Sequence, residues 1–337
     1  MATVEEPRKA TLMNYVGFDT ITKQIERRLL KQGFALNLMV VGRSGLGKST
    51  LVNTLFASHL VDSKAARRPN TAEHHRSTIE IHNVSHLIEE NGVRLRLSIT
   101  DTPGYGDLIN NQNCWEPITK YIKEQYSSYL RKELTPARER YIKDTRIHAV
   151  LFFINPSGHS LSPLDIIVMR RISEVANLIP IIGKSDCLTP EERHAFKDRI
   201  RAELDFHKIR AFPEREERLL NDRIRAMLPF AVIGSERNIV VDGKAVRGRR
   251  TRWGTVNVED PEHCEYTALR DFLTRTHLQD LIETTGLVHY EAFRTKQLMA
   301  LKESTTGSHS HLSQHAGSAV RGYEGSTTSL TTGPDGP

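Results

Sequence analysis

The residues best suited to do chemistry lie in Gly42-Arg43-Ser44-Gly45-Leu46-Gly47-Lys48-Ser49. Two glycines flank four residues and a Lys-Ser pair follows, the spacing of a phosphate-binding loop. Backbone N–H groups can cradle phosphate oxygens only where glycine permits the turn and the close approach. Lys48 places a point charge against the β and γ phosphates, and the Ser49 hydroxyl is a candidate ligand for Mg²⁺. Ala35–Val41 before the loop reads as a buried strand. Ser49–Phe56 after it reads as the start of a helix, whose N-terminus favours anions. Thr50, inside that first turn, completes the candidate nucleotide set.

Two further motifs stand at the ends of predicted strands. Asp101-Thr-Pro-Gly104 closes the alternating run Arg94–Thr100. Its carboxylate can hold Mg²⁺ through water while the Gly104 N–H approaches a γ-phosphate. Gly183-Lys184-Ser185-Asp186 follows the apolar run Leu178–Ile182. An aspartate there accepts two hydrogen bonds from guanine; adenine lacks that donor pair and would leave a buried carboxylate unpaired. The first residue of this motif is commonly Asn or Thr, and here it is glycine. Three motifs in this order point to a guanine-nucleotide domain that takes GTP or GDP with Mg²⁺, and Asp186 disfavours an ATPase or kinase. The hydrolytic machinery is thinner, because Tyr105 stands where many small GTPases carry a water-orienting Gln. Thr78 is the candidate catalytic residue and a further candidate Mg²⁺ ligand, or else an ordinary strand threonine. Hydrolysis should be slow.

These motifs need elements to position them. Strands are expected at 35–41, 94–100, 148–155, 178–183 and 229–234, separated by helical patterns. That alternation implies an α/β fold with a mostly parallel, doubly wound sheet and helices on both faces. Before the loop, Ile21, Ile25 and Leu29 recur at helical spacing beside Lys23, Arg27, Arg28 and Lys31. Residues 19–33 thus read as a basic amphipathic helix: a membrane-binding segment, a solvated face or a subunit contact. Residues 1–18 read as a flexible arm, 63–77 as a long loop, 34–285 as the nucleotide domain and 286–303 as a closing helix. From 304 to 337 the Ser, Thr, Gly and His content predicts a disordered tail, with His309, His311 and His315 as solvated residues. The basic cluster from Arg193 to Arg210 is interleaved with acids and reads as a surface helix.

Composition sets bounds. The 337 residues, 38% hydrophobic and 26% charged, suit a globular α/β domain with extensions. No apolar run approaches the roughly 18 residues of a membrane span, and the polar start is not that of a signal peptide. Cys114, Cys187 and Cys264 are isolated and lack metal-ligand spacing, as expected of a cytoplasmic protein. A net charge of +6 is compatible with anionic membranes or nucleic acid and identifies neither; no nucleic-acid partner is expected.

The late stretch carries a resemblance. Gly234-Ser235, Val246-Arg-Gly-Arg249, Trp253-Gly254 and Glu259-Asp-Pro-Glu-His263 resemble the element that distinguishes septins, filament-forming GTP-binding proteins, from other GTPases. Asp101-Thr-Pro-Gly-Tyr-Gly-Asp107 and the phosphate loop match the same family, over roughly residues 15–300. The resemblance implies that the septin unique element spans about 235–285, that Gly234 and Arg249 contact the base, and that Thr78 is the switch threonine. It implies subunit interfaces at His159 and Trp253 on the nucleotide side and at His263 on the opposite side. It further implies hetero-oligomeric filaments with other septins, a phosphoinositide membrane surface for the basic helix, and a place in the cytoskeleton at the cell cortex, bud neck or septum. Thr251-Arg-Trp-Gly254 departs from the family's Tyr-Pro-Trp-Gly, and no heptads follow Glu303. The lack of a coiled coil, with Tyr15–Asp19 and Phe56–Leu60, resembles the fungal central subunits of septin rods. The competing reading is a freestanding regulatory GTPase.

Overall fold

The computed structural model describes residues 19–58, 60–61, 81–102, 106, 111–135, 142–213, 219–241, 243–251 and 254–316. The flexible-arm, long-loop and switch assignments at 1–18, 63–77 and Thr78 lie outside them. The described residues up to His289 form one compact unit and those from Tyr290 a second.

The first unit is built on a six-stranded sheet. Helix α1 (Asp19–Gln32) leads into β1 (Phe34–Gly42), whose last seven residues are all buried. Helix α2 (Lys48–Leu55) follows, then β2 (His82–Glu90) and β3 (Val93–Asp101). These two strands form a hairpin on the left-handed residues Asn91 and Gly92, the chemistry a two-residue turn requires. Next come α3 (Glu116–Leu134), β4 (Ala149–Ile154), α4 (Pro163–Ser173) and β5 (Leu178–Ile182). Helix α5 (Pro190–Phe206) starts from a Thr189/Glu192 capping box; α6 (Leu219–Met227) and the short β6 (Phe230–Ala231) follow it. The order is β2-β3-β1-β4-β5-β6, with every pair parallel except β2–β3.

Every residue of β4 and β5 is buried. Strands covered on both faces are what a doubly wound parallel sheet produces. On α3, Ile118, Ile122, Tyr126 and Leu130 are buried four residues apart, one stripe of a 3.6-residue helix. Since β3 and β4 lie on either side of β1, the chain reverses its winding at β1. The loop after β1 therefore opens into the crevice where ligands bind α/β sheets.

A second sheet was not legible as strands. Asn238–Val241 (β7), Lys244–Thr251 (β8) and Gly254–Asn257 (β9) pair antiparallel. Beyond it, α7 (Tyr266–Asp271) and α8 (Leu278–Thr284) are each followed by a wide π turn, Phe272–Thr276 and Thr285–Tyr290. In the second unit, α9 runs from Glu291 to Ala316. The expected end of the helix at 303, with a disordered tail from 304, is thereby corrected up to Ala316. No proline interrupts 304–316, so the ladder propagates once nucleated.

A polar network binds the entry ends of the central strands. The Asn37 amide donates to His148 Nδ1 at 3.1 Å and the Asn37 side chain to the Arg146 carbonyl at 2.7 Å. Asn177 Nδ2 donates to the carbonyls of His148 (2.8 Å) and Leu281 (3.0 Å), and its Oδ1 meets His289 Nε2 at 3.2 Å. Burial alone would raise the Asp144 carboxyl, but hydrogen bonds with His148 and Arg146 outweigh it and hold the group well below the usual carboxylate range. Burial, with the Arg210 charge, pushes His289 down to about 4. Above pH 6.5 this residue is neutral in both folded and unfolded chains and adds no pH dependence. Between 6.5 and about 4 the unfolded chain binds a proton that the fold refuses, so stability falls as pH falls. Thermal unfolding should drop by several degrees between pH 6.5 and 4.5, and His289→Gln should flatten that slope; an unchanged slope contradicts the assignment.

Candidate functional site

The phosphate loop is held where the motif requires it. Gly45 (φ 80°) and Gly47 (φ 89°) take left-handed conformations with open space where a Cβ would stand, and Gly47 caps the N-terminus of α2. A Cβ on Gly42 would meet the Phe153 Cβ at 2.6 Å, so glycine there lets β1 and β4 run close at the loop's root. Lys48 Nζ donates to the carbonyls of Gly42 (2.7 Å) and Arg43 (3.0 Å), which keeps its charge over the loop. Arg43 turns its guanidinium to Ser162 Oγ at 3.2 Å, ahead of α4. Ser44 is exposed, Leu46 is buried in the core, and Ser49 and Thr50 are half-buried in the first turn of α2.

Asp101 ends β3 beside this loop. The neighbouring Thr102 ties to the Val40 carbonyl through its hydroxyl at 2.9 Å, which locks β3 to β1 at that point. Asp101 Oδ1 is buried and accepts no hydrogen bond among the described residues. Burial pushes the carboxyl up, and the charge of Lys48 draws it back only in part. An unsatisfied carboxylate oxygen beside a hydroxyl and a phosphate loop suits a hard, oxygen-seeking cation. The residues present fit Mg²⁺.

The base end of the cleft forms at β5 and β6. Lys184 (φ 51°) turns the chain into a single 3-10 turn, Ser185–Cys187, which presents Asp186. Asp186 pairs with Arg249 of β8 through one carboxylate oxygen; the other, Oδ1, is buried without a partner among the described residues. The cleft is lined by Leu46, Gly47, Thr50, Gly183, Gly234 and Arg249, with Phe153 beneath. The glycine at 183, unusual for the motif, has a steric reason: a Cβ would meet the Leu46 carbonyl oxygen at 2.8 Å. At Gly234 a Cβ would meet the Leu51 amide nitrogen at 2.9 Å, so β6's exit packs directly on α2.

The structure brings together Gly42–Thr50, Asp101, Lys184, Asp186, Gly234 and Arg249. Gly104, Thr78 and Trp253 lie outside the described residues, as does Tyr105. His159 is exposed on a loop whose carbonyls, Gly158 (2.6 Å) and His159 (3.2 Å), accept from Arg199 of α5. His263 is exposed as well; its carbonyl accepts from Arg193 at 2.8 Å, and its Nδ1 accepts from the Asn257 amide. Lys23, Arg27, Arg28 and Lys31 are exposed on α1, and so are Ile21, Ile25 and Leu29. Sequence reasoning missed Phe153, Thr54 and Arg247, which support the cleft through long-range contacts that leave no local pattern.

Strand order, phosphate loop and the carboxylate at 186 define a P-loop domain of the guanine-nucleotide-binding class. The septin family profile matches residues 32–307. The chain is 56% identical over 309 residues to septin homolog spn2 of Schizosaccharomyces pombe, covering 90% of this chain and 93% of that one. It is 54% identical over 310 residues to cell division control protein 10 of Saccharomyces cerevisiae, covering 90% and 96%. A crystal structure of a septin GTPase domain from Chlamydomonas reinhardtii superposes with a TM-score of 0.59 at 26% identity, covering 77% of this chain and 98% of that one. The chain belongs to the septin family, and its resemblance to fungal members holds. Lys48→Ala should abolish nucleotide retention, checked by chromatography of the supernatant after denaturing the purified protein; wild-type nucleotide content in the variant contradicts the site.

Proposed function

We infer that this septin holds GTP or GDP with Mg²⁺, hydrolyses GTP slowly, and acts mainly as a structural subunit. It joins other septins through a nucleotide-side and an opposite interface into hetero-oligomeric filaments at an anionic membrane surface, serving cytokinesis and septum formation at the cell cortex. One observation carries the nucleotide reading. Lys48 opens α2 after β1, Asp101 ends β3 and Asp186 lies in the turn after β5, and among the described residues both carboxylates keep a buried oxygen without a hydrogen-bond partner.

The roles divide by chemistry. Amides of Gly45–Ser49 and the Lys48 ammonium bind phosphate, and Asp186 accepts from the guanine edge. Ser49, with Asp101 through water, would hold Mg²⁺, which supplies charge neutralisation on the phosphates. Thr78 is the residue proposed to act on the attacking water or the metal. With Tyr105 where a water-orienting Gln commonly stands, turnover is slow, and bound nucleotide persists long enough to serve as a structural part.

Assembly and membrane binding rest on surface features. His159 and His263 sit on exposed loops whose backbones are both fastened to α5 by arginines, so each is presented in a fixed place. On α1 an exposed Ile/Leu stripe runs beside four basic side chains, the makeup of a helix lying at a membrane interface. Each such charge is worth about 1 kcal/mol near an anionic leaflet. A filament multiplies that weak attraction through avidity. The name of the Saccharomyces cerevisiae relative, cell division control protein 10, agrees with a role in cytokinesis.

Two results test this. Thr78→Ala should retain guanine nucleotide at wild-type level while losing measurable turnover; hydrolysis at the normal rate reduces Thr78 to a strand residue. Co-expressed with partner septins, the protein should form rods or filaments in negative stain at low salt; soluble monomers under every condition would sink the structural role.

A further inference from the structure

We propose that Arg247 is a positioning residue that fixes the base clamp on β8 against the phosphate-loop helix, and so sets guanine discrimination without touching the nucleotide. The inference rests on the guanine-nucleotide reading of the cleft.

The argument starts at the carboxyl end of α2. That helix has no basic residue in its last turn, where the Thr54 carbonyl accepts from the Ala57 amide at 3.2 Å and from the capping Phe56 amide. Arg247 Nη1 donates to the same oxygen at 2.8 Å, and the buried Tyr266 hydroxyl donates at 2.8 Å. A guanidinium at this end complements the helix dipole, whose positive end faces the phosphates. The Thr54 hydroxyl donates to the Thr50 carbonyl at 2.6 Å and accepts from the Ser235 amide at 3.1 Å. The Ser235 hydroxyl in turn donates to the Gly248 carbonyl at 2.6 Å. Phosphate-loop helix, β6 exit and β8 are thus closed into one hydrogen-bonded ring.

Arg247 and Arg249 are two apart on β8 and therefore project from the same face. One bolts the strand to α2; the other reaches Asp186. Between them, a Cβ on Gly248 would meet the Val256 carbonyl oxygen and Ile239 Cδ1, both at 2.3 Å, so the strand is wedged between β7 and β9. The position of Arg249 over the base end thus follows from where Arg247 holds β8. Loss of the bolt should misplace the clamp while leaving Lys48 and the loop amides in place.

The test compares guanosine diphosphate with inosine diphosphate, which lacks the exocyclic amino group that Asp186 reads. Affinities are measured by competition with a fluorescent guanosine diphosphate on the full-length protein. Wild type should prefer guanosine diphosphate strongly. Arg247→Met should shrink that preference about tenfold, and Arg247→Lys, which keeps the charge and a donor, should restore most of it. Tyr266→Phe removes the other donor to the same carbonyl but leaves β8 tied, and should lower Tm with the preference unchanged. Should Arg247→Met fail to fold, Ser235→Ala cuts the second tie to β8 and should also shrink the preference. Equal weakening of both nucleotides in the Arg247 or Ser235 variants overturns the proposal, and so does wild-type behaviour. A wild-type protein with no preference for guanosine diphosphate would instead overturn the guanine reading itself.

Discussion

The phosphate end of the nucleotide cleft depends on how α2 is held, and the base end on how β8 is tied to it. Its N-terminus must keep its amides free to face phosphate, so the helix cannot be secured there. It is secured at the other end, where Arg247, Tyr266 and Ser235 converge on Thr54 from three separate segments. Asn53 adds a fourth tie, accepting from the Leu60 and Val61 amides and donating to Glu236 at 2.8 Å. Such buried bonds each contribute about 1 kcal/mol net, but leaving any of these groups unpaired costs more, so the arrangement is specific rather than merely adhesive.

The same logic extends to the far side of the cleft. Glu265, ahead of α7, accepts the Ala231 amide at 2.7 Å and pairs with the buried Lys197 of α5. That ties β6, the element leading to Gly234, into the helical layer. Helix α5 then carries two arginines that fasten the loops bearing His159 and His263. Under the proposed function, one rigid helix would link the base end of the cleft to both proposed contact surfaces. A slow enzyme whose nucleotide stays in place fits that construction better than a fast cycling switch.

Much of the site was legible because its constraints are local. A phosphate loop needs glycines at fixed spacing, and Gly45 and Gly47 take the positive φ values that only glycine adopts freely. The buried strands β1, β4 and β5 announce themselves as apolar runs. The rest was hidden for equally physical reasons. In β8, Lys-Ala-Val-Arg-Gly-Arg-Arg-Thr hides its strand because the arginines serve long-range partners rather than an alternating pattern. Strand β2 is an edge with Leu87 68% exposed, so burial imposes no period on it. Thr54 and Arg247 lie 193 residues apart, and nothing in either neighbourhood points to the other. The end of α9 was misjudged because Ser and Thr weaken a helix only slightly when no proline stops it.

The claim that phosphate loop and base clamp form one body is most directly tested by hydrogen exchange on the full-length protein with and without guanosine diphosphate. If they do, nucleotide should slow exchange together in Lys48–Leu55 and in Lys244–Thr251, including amides of β8 far from any ligand atom. Protection confined to Lys48–Leu55, with Lys244–Thr251 unchanged, would contradict it.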